Sequence, residues 1–186
     1  MIAEGQRGFA QGHRAADRRL QLGGGAGDHG VGTAFHPVGK ELGQVLLVGR
    51  QPETLQALAK AHAGKVTVVA ADICERSGRE AVVAAAQRFG GINTLINAAG
   101  VNHFGLHEQH DENAIAELIT LNVTATLQLT HRLLPLLRQQ GRALVVNLGS
   151  TFGSIGYPGF SAYCASKFAL RGFSEALRRE LADTQV

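Results

Sequence analysis

Residues 145–181 read VVNLGSTFGSIGYPGFSAYCASKFALRGFSEALRREL, and their pattern decides the fold. The run Ala143–Leu148 is apolar and bounded by turn residues, which predicts a strand buried on both faces. A Gly/Ser-rich loop follows, and then about six turns of helical pattern. Tyr163 and Lys167 stand four residues apart in that helix, so both side chains project from one face. Ser150 sits at the carboxyl end of the strand, where open α/β sheets place their ligands. A hydroxyl, a phenol and an ammonium thus converge from a strand end and the helix after it. A phenol, with its ordinary pKa near ~10, is a poor acid or base at neutral pH, and a neighbouring ammonium favours its ionised form. Such a pair makes a tuned general acid/base, and a serine hydroxyl beside it can bond a substrate oxygen whose charge changes.

The same texture extends back to Gln44 as short apolar runs alternating with amphipathic segments. Val45–Val48 reads as a strand ending at Gly49-Arg50, and Pro52 suits the first turn of a helix reaching about His62. Val66–Ala70 is the next strand, followed by Asp72 and a helix from about Ser77 to Phe89 that Gly90-Gly91 stop. Thr94–Asn97 is a third strand, turning through Ala98-Ala99-Gly100 into a loop over residues 101–109. Asp111 can cap a long helix carrying Ile115, Leu118, Ile119, Val123, Leu127, Leu134 and Leu137, with Pro135 expected to kink or re-start it. Strands alternating with helices of this length predict parallel βαβ units and a doubly wound α/β sheet of the Rossmann kind.

The bulk numbers narrow the classes of function. A chain of 186 residues, 45% hydrophobic and 18% charged, suits one globular domain. The net charge of +3 comes from scattered basic residues, so no nucleic-acid partner is expected. No apolar run is long enough to span a bilayer and the first residues carry no signal-peptide pattern, so the expected place is the cytoplasm and no membrane partner is expected. Cys74 and Cys164 form no close pair and are expected as buried thiols in helices. Residues 1–43 differ from the rest: rich in glycine, arginine and histidine, without sustained periodicity, they are expected to be of low order or irregular.

Around the helix of Tyr163 the sequence resembles the short-chain dehydrogenase/reductase family, from about Gln44 onward. The family's Tyr-x-x-x-Lys appears as Tyr163–Lys167, its serine as Ser150, and its asparagine on the long helix as Asn122. The Asn-Asn-Ala-Gly turn of the family appears as Asn97-Ala98-Ala99-Gly100, and its adenine-facing acid as Asp72. The resemblance implies hydride transfer between NAD(P)(H) and a small carbonyl or alcohol. Tyr163 would exchange the proton, and Lys167 would hold the nicotinamide ribose. Ser150 would polarise the carbonyl, and Asn122 would anchor a water. The cofactor would be bound by Arg50, Asp72, Asn97, Ala98, Ala99, Gly100, Tyr163 and Lys167. Arg50 stands where NAD-preferring members carry an acid, so NADP(H) is favoured over NAD(H). With the full fold a homo-oligomer is implied, the apolar stripe of the long helix serving the core or a dimer interface.

The chain also departs from the family. The Thr-Gly-x-x-x-Gly-x-Gly turn after a first strand is absent, and Gly25–Gly30, though it satisfies G-x-G-x-x-G, follows no buried strand. A shifted reading frame over about Gly8–Gly43 would account for the change, since one encoding of Asp17–Gly23 moved by a base reads Thr-Gly-Ala-Ser-Ser-Ser. Without that first strand, the strands on either side of its place are left with facing unpaired edges unless N-terminal residues fill the gap, and weak or no cofactor binding is expected. The family's last strands are likewise expected to be missing after Val186. Two rival readings stand beside the oxidoreductase: a non-catalytic remnant serving as an interaction scaffold, and an anion or nucleic-acid binder using Arg7, Arg14, Arg18 and Arg19. His103, His107 and His110 share a loop with Glu108 and Asp111, but their spacing matches no metal motif and they read as solvated loop residues.

Overall fold

The computed structural model describes residues 43–62 and 64–186. The expectations placed on residues 1–42, including the glycine-rich stretch and the frame shift, lie outside the described residues. The order is β1 (Val45–Gly49), α1 (Pro52–Ala61), β2 (Val66–Ala70), α2 (Arg76–Arg88), β3 (Thr94–Asn97), α3 (Glu112–Ile119), α4 (Thr126–Arg138), β4 (Leu144–Asn147) and α5 (Ser161–Glu180). Single 3-10 turns sit at His107–Gln109 and Thr151–Gly153. Every strand is followed by a helix, as parallel pairing requires.

β1 pairs with β2 in parallel, Val45 opposite Val66 and Gly49 opposite Ala70. β3 pairs with β4 in parallel, Thr94 opposite Leu144 and Asn97 opposite Asn147. Among the described residues these are two separate two-stranded sheets. No described strand joins β1 to β3. The two pairs still share one core, which takes Leu46 and Val48 from β1, Leu95 from β3, Val82 from α2 and Leu129 and Leu133 from α4, all at most 1% exposed. Each such side chain contributes roughly 1.5–3 kcal/mol relative to exposure, so α2 and α4 join the sheets through apolar contact.

The local signals explain most helix ends. Asp111 Oδ1 accepts hydrogen bonds from the backbone N–H groups of Asn113 and Ala114 and so caps α3. Pro52 occupies the first turn of α1, where a missing N–H costs nothing. The long helix differs from expectation. It is interrupted at Thr120–Ala125 by a wider π-helical turn, whereas Pro135 stands inside α4 without ending it. The sequence offers no breaker at 120–125; the widened turn carries Asn122 to full burial, and such turns recur at functional sites. Of the expected apolar stripe Leu118 and Leu137 are buried and Ile115, Ile119, Val123, Leu127 and Leu134 are partly buried; Ala125, Leu129 and Leu133, outside that stripe, form the rest of the buried face. Cys164 is buried within α5, but Cys74 lies in the turn between β2 and α2 and is only partly buried. α2 begins at Arg76, within a residue of the expected Ser77, and Cys74 lies ahead of it because Asp72 and the buried Arg79 hold residues 73–75 as a turn. No described helix is long and apolar enough to cross a membrane.

Candidate active site

Two parallel strands end in asparagine at matching register, and this alignment builds the floor of the site. Asn97 Nδ2 donates to Asn147 Oδ1 at 2.8 Å and to Thr130 Oγ1 on α4 at 3.0 Å. Asn147 Nδ2 in turn donates to Ser174 Oγ on α5 at 2.8 Å. Asn97 is 6% exposed and Thr130 is 1% exposed, so this is a buried and satisfied polar network, the kind that fixes one arrangement of its elements. It ties β3, β4, α4 and α5 together directly below the loops that carry chemistry.

Above it, Asn122 is fully buried and its side chain is engaged at both ends. Oδ1 accepts from Val101 N at 2.8 Å, while Nδ2 donates to Val101 O at 2.8 Å and to Ser166 Oγ at 3.1 Å. Ser166 Oγ also donates to Tyr163 O at 2.7 Å. Asn122 therefore links the turn after β3 to the first turns of α5, at the level of Tyr163. A methyl group on Gly100 would lie 3.1 Å from Asn122 Oδ1 and 3.9 Å from Lys167 Nζ, so the 98–100 turn runs beside both.

Lys167 is 7% exposed and donates through Nζ to Leu148 O at 2.9 Å. Its ammonium stands 5.5 Å from the centroid of the Tyr163 ring, on the same helix face. Burial lowers the Lys167 pKa from its ordinary value, because the charged form has given up water. Ser150, at the end of β4, accepts from Phe152 N at 3.2 Å and opens the 3-10 turn that follows. Ser150 and Lys167 line one cleft of about 200 Å³. Ser150 and Lys167 thus share a cleft, Lys167 faces the Tyr163 ring, and Asn122 reaches the backbone of Tyr163 through Ser166.

The second cluster lies at the ends of β1 and β2. Arg50 Nη1 is 3.5 Å from Asp72 Oδ2, both half-exposed, and Asp72 Oδ1 accepts from Cys74 N at 2.8 Å. These residues line a cleft of about 450 Å³ whose walls include Val101 and Leu121. Burial, and then the Asp72 carboxylate, push the Cys74 thiol up to about 11, so this thiol stays neutral. Arg79 is the residue beneath this turn that sequence reasoning missed. It is 7% exposed, and Nη1 donates to Ile73 O at 2.6 Å and to Cys74 O at 2.7 Å. A basic residue on a helix reads as solvated, and only its burial shows that it clamps the turn. Asn147, Thr130, Ser166 and Ser174 were missed for a similar reason, since small polar residues announce nothing until their partners are known.

The histidine loop is tied down by hydrogen bonds. His107 Nδ1 is 3.0 Å from Ser161 Oγ, and His110 Nε2 donates to Gly105 O at 3.1 Å. No group of three or more His, Cys, Asp or Glu among the described residues is placed to hold a metal ion.

The fold and the site define a class, and comparison with known proteins names it. The model of the family described as short chain dehydrogenase matches residues 24–186, beginning well ahead of Gln44 and taking in the glycine-rich Gly25–Gly30. The chain belongs to the short-chain dehydrogenase family. It is 33% identical over 142 residues to the uncharacterized oxidoreductase YusZ of Bacillus subtilis, covering 74% of this chain and 51% of that protein. It is 38% identical over 147 residues to the sulfoacetaldehyde reductase of Chromohalobacter salexigens, covering 76% of this chain and 58% of that protein. The crystal structure of a short-chain dehydrogenase from Streptomyces avermitilis superposes with a TM-score of 0.71 at 33% identity, over 75% of this chain and 52% of that one. The chain spans little more than half the length of these relatives.

Proposed function

We propose that this protein is a carbonyl reductase or alcohol dehydrogenase dependent on NAD(P)(H), with Tyr163, Lys167, Ser150 and Asn122 as its working set. The observation that carries the reading is the Lys167 ammonium, buried and held 5.5 Å from the Tyr163 ring by a bond to Leu148 O. A lysine that served only as a solvated surface charge would not be desolvated against a phenol.

The residues present fit a dinucleotide at both ends. At one end the 450 Å³ cleft offers apolar walls for a purine, the Asp72 carboxylate for an amino group and the Arg50 guanidinium for a phosphate. At the other, the turn at Gly100 runs beside Asn122 and Lys167, and Lys167 faces the Tyr163 ring. When bound, the nicotinamide supplies or accepts the hydride. The chain's own residues do the rest. Ser150 donates to the substrate carbonyl oxygen, and Tyr163 passes a proton to that oxygen as charge develops on it. Lys167 would hold the ribose hydroxyls of a bound cofactor, and it keeps positive charge beside the phenol. Asn122 acts through position, since both ends of its side chain are occupied by Val101 and Ser166.

A preference for NADP(H) over NAD(H) belongs to the same proposal. Arg50 is 39% exposed and lines the cleft, and its bond to Asp72 is long and half-solvated. Such a pair gives up little when the guanidinium turns to a phosphate. The substrate is a small carbonyl or alcohol, the protein works in the cytoplasm, and it assembles as a homo-oligomer when the whole fold is present.

The test is NADPH-dependent reduction of a ketone, followed by NADPH absorbance, with the wild type beside Tyr163→Phe. Loss of roughly 10²–10⁴-fold in rate on removing the hydroxyl, with the circular-dichroism spectrum unchanged, is the expected result. Turnover that persists in Tyr163→Phe overturns the assignment. A wild type that is folded yet inert toward every carbonyl tried favours the scaffold reading.

A further inference from the structure

The loops on either side of Tyr163 carry an aromatic wall that the reaction itself does not need. Phe152 stacks on Tyr157, with ring centroids 5.2 Å apart and planes 12° from parallel. Phe160 meets Phe152 at 5.1 Å and Tyr163 at 6.2 Å, and Phe104 meets Phe160 at 5.1 Å. The wall spans two loops, Phe104 coming from the one after β3 and the other rings from the one after β4. Those loops are joined by Gly105 N donating to Gly159 O at 3.0 Å and by the His107–Ser161 contact. Phe104 lies directly over Gly159, where a Cβ would meet the ring at 2.5 Å and where φ is +82°. Only glycine allows that approach. The wall is thus built in place, yet Phe104 is 75% exposed and Tyr157 52% exposed. Exposed apolar surface gathered beside a reactive group marks a place for a ligand.

The same surroundings offer little to an anion. The segment 148–161 contains no charged residue, and residues 98–111 contain only Glu108 and Asp111 among the fully charged types. Lys167 is buried and bound to Leu148 O. Arg171 lines the Ser150 cleft rather than the aromatic wall, and its guanidinium is held by Glu175 and by Ser154 Oγ, both at 3.0 Å. We infer that this wall selects an uncharged carbonyl compound bearing an apolar ring, stacked on the exposed faces of Phe104 and Tyr157 with its carbonyl at Tyr163. The inference rests on the oxidoreductase reading for the fate of the carbonyl, but binding at the wall does not depend on turnover.

The chain has two tyrosines and no tryptophan, and both tyrosines belong to the wall, so tyrosine emission reports this site alone. The experiment is a titration of that emission, in the presence of NADP⁺, with cyclohexyl methyl ketone and separately with the anion sulfoacetaldehyde. A saturable change with the ketone at lower concentration than with sulfoacetaldehyde is expected. Phe104→Ala should raise the ketone's Kd about tenfold, the scale of one aromatic contact with its buried area, and Phe104→Leu should fall between. Phe104 is exposed, so neither variant is expected to unfold, and circular dichroism checks this. Absence of a saturable change with the ketone, tighter binding of sulfoacetaldehyde, or a Kd within twofold of wild type in Phe104→Ala each overturns the inference. Failure of the oxidoreductase reading is read separately, as ketone binding without turnover that depends on Tyr163.

Discussion

The region around Tyr163 and the region around Asp72 are both strand ends facing a cleft, and they are held in opposite ways. Around Tyr163, side chains do the holding: Asn122, Ser166, Asn97, Asn147, Thr130 and Ser174 bond one another or nearby backbone. Around Asp72 the backbone is what is held: Gly78 presses against Asp72 O, and Arg79 grips the carbonyls of Ile73 and Cys74. The side chains left to face the second cleft, Arg50 and Asp72, are half in water. On the function proposed above, the difference follows from their tasks. Proton transfer demands positions fixed within a hydrogen bond, which buried, satisfied networks supply. Recognition of a charged group needs a charge near the right place, and a solvated guanidinium on a rigid turn provides it at little cost.

Substitutions that separate these modes should differ in size. Asn122→Leu removes three hydrogen bonds at a fully buried position and strands the polar backbone of Val101. A loss of about 3 kcal/mol is expected, read as a lower urea midpoint at unchanged slope. Gly78→Ala probes the other region. On an exposed helix this change is mildly stabilising, but here the new Cβ would lie 1.9 Å from Asp72 O, so a loss of about 2 kcal/mol is expected. A gain instead would show that the turn yields and that the Asp72 region is not held by its backbone.

Lys167→Met sharpens the comparison through pH. Burial lowers the folded-state pKa of Lys167 below its ordinary 10.5, so the folded state gives up this proton more readily than the unfolded state does. The ammonium therefore costs stability below its lowered folded pKa, and the cost fades as pH rises toward 10.5. Leu148 O, at an exposed residue, can turn to water when the lysine is gone. The variant is expected to equal or exceed wild-type stability by up to about 1 kcal/mol near neutral pH, with the gap closing in melts toward pH 10.5, while carbonyl reduction is lost. Arg50→Ala should be the mildest for the fold, under about 0.5 kcal/mol, because its ion pair is long and solvated. Its effect should appear in calorimetric titrations instead, as weaker binding of adenosine 2′,5′-bisphosphate with binding of AMP nearly unchanged.

Much of this was legible in the chain itself. The apolar runs at Val45, Val66, Thr94 and Leu144 and the signals at Pro52 and Asp111 follow from rules of local spacing, so the strands and helix starts could be read within a residue or two. Tyr163 and Lys167 were legible because helical periodicity alone puts them on one face. The π-helical turn at Thr120–Ala125 was not, because its cause is the burial of Asn122 between Val101 and Ser166, contacts that join residues 21 and 44 positions apart. Arg79 went unnoticed and Cys74 was read as helical for the same reason.

The sequence by itself determined the βαβ alternation, the family resemblance and the placing of Tyr163 and Lys167 on one helix face, since these depend on periodicity and residue type. Tertiary structure alone decided that the sheet of the described residues falls into two pairs joined through α2 and α4, and that Asn97 and Asn147 end two strands in register. It also decided that four rings from two loops gather beside Tyr163. The physical reason is that hydrogen bonding, desolvation and stacking act over a few ångströms of space, and for these residues such proximity is created only by the fold.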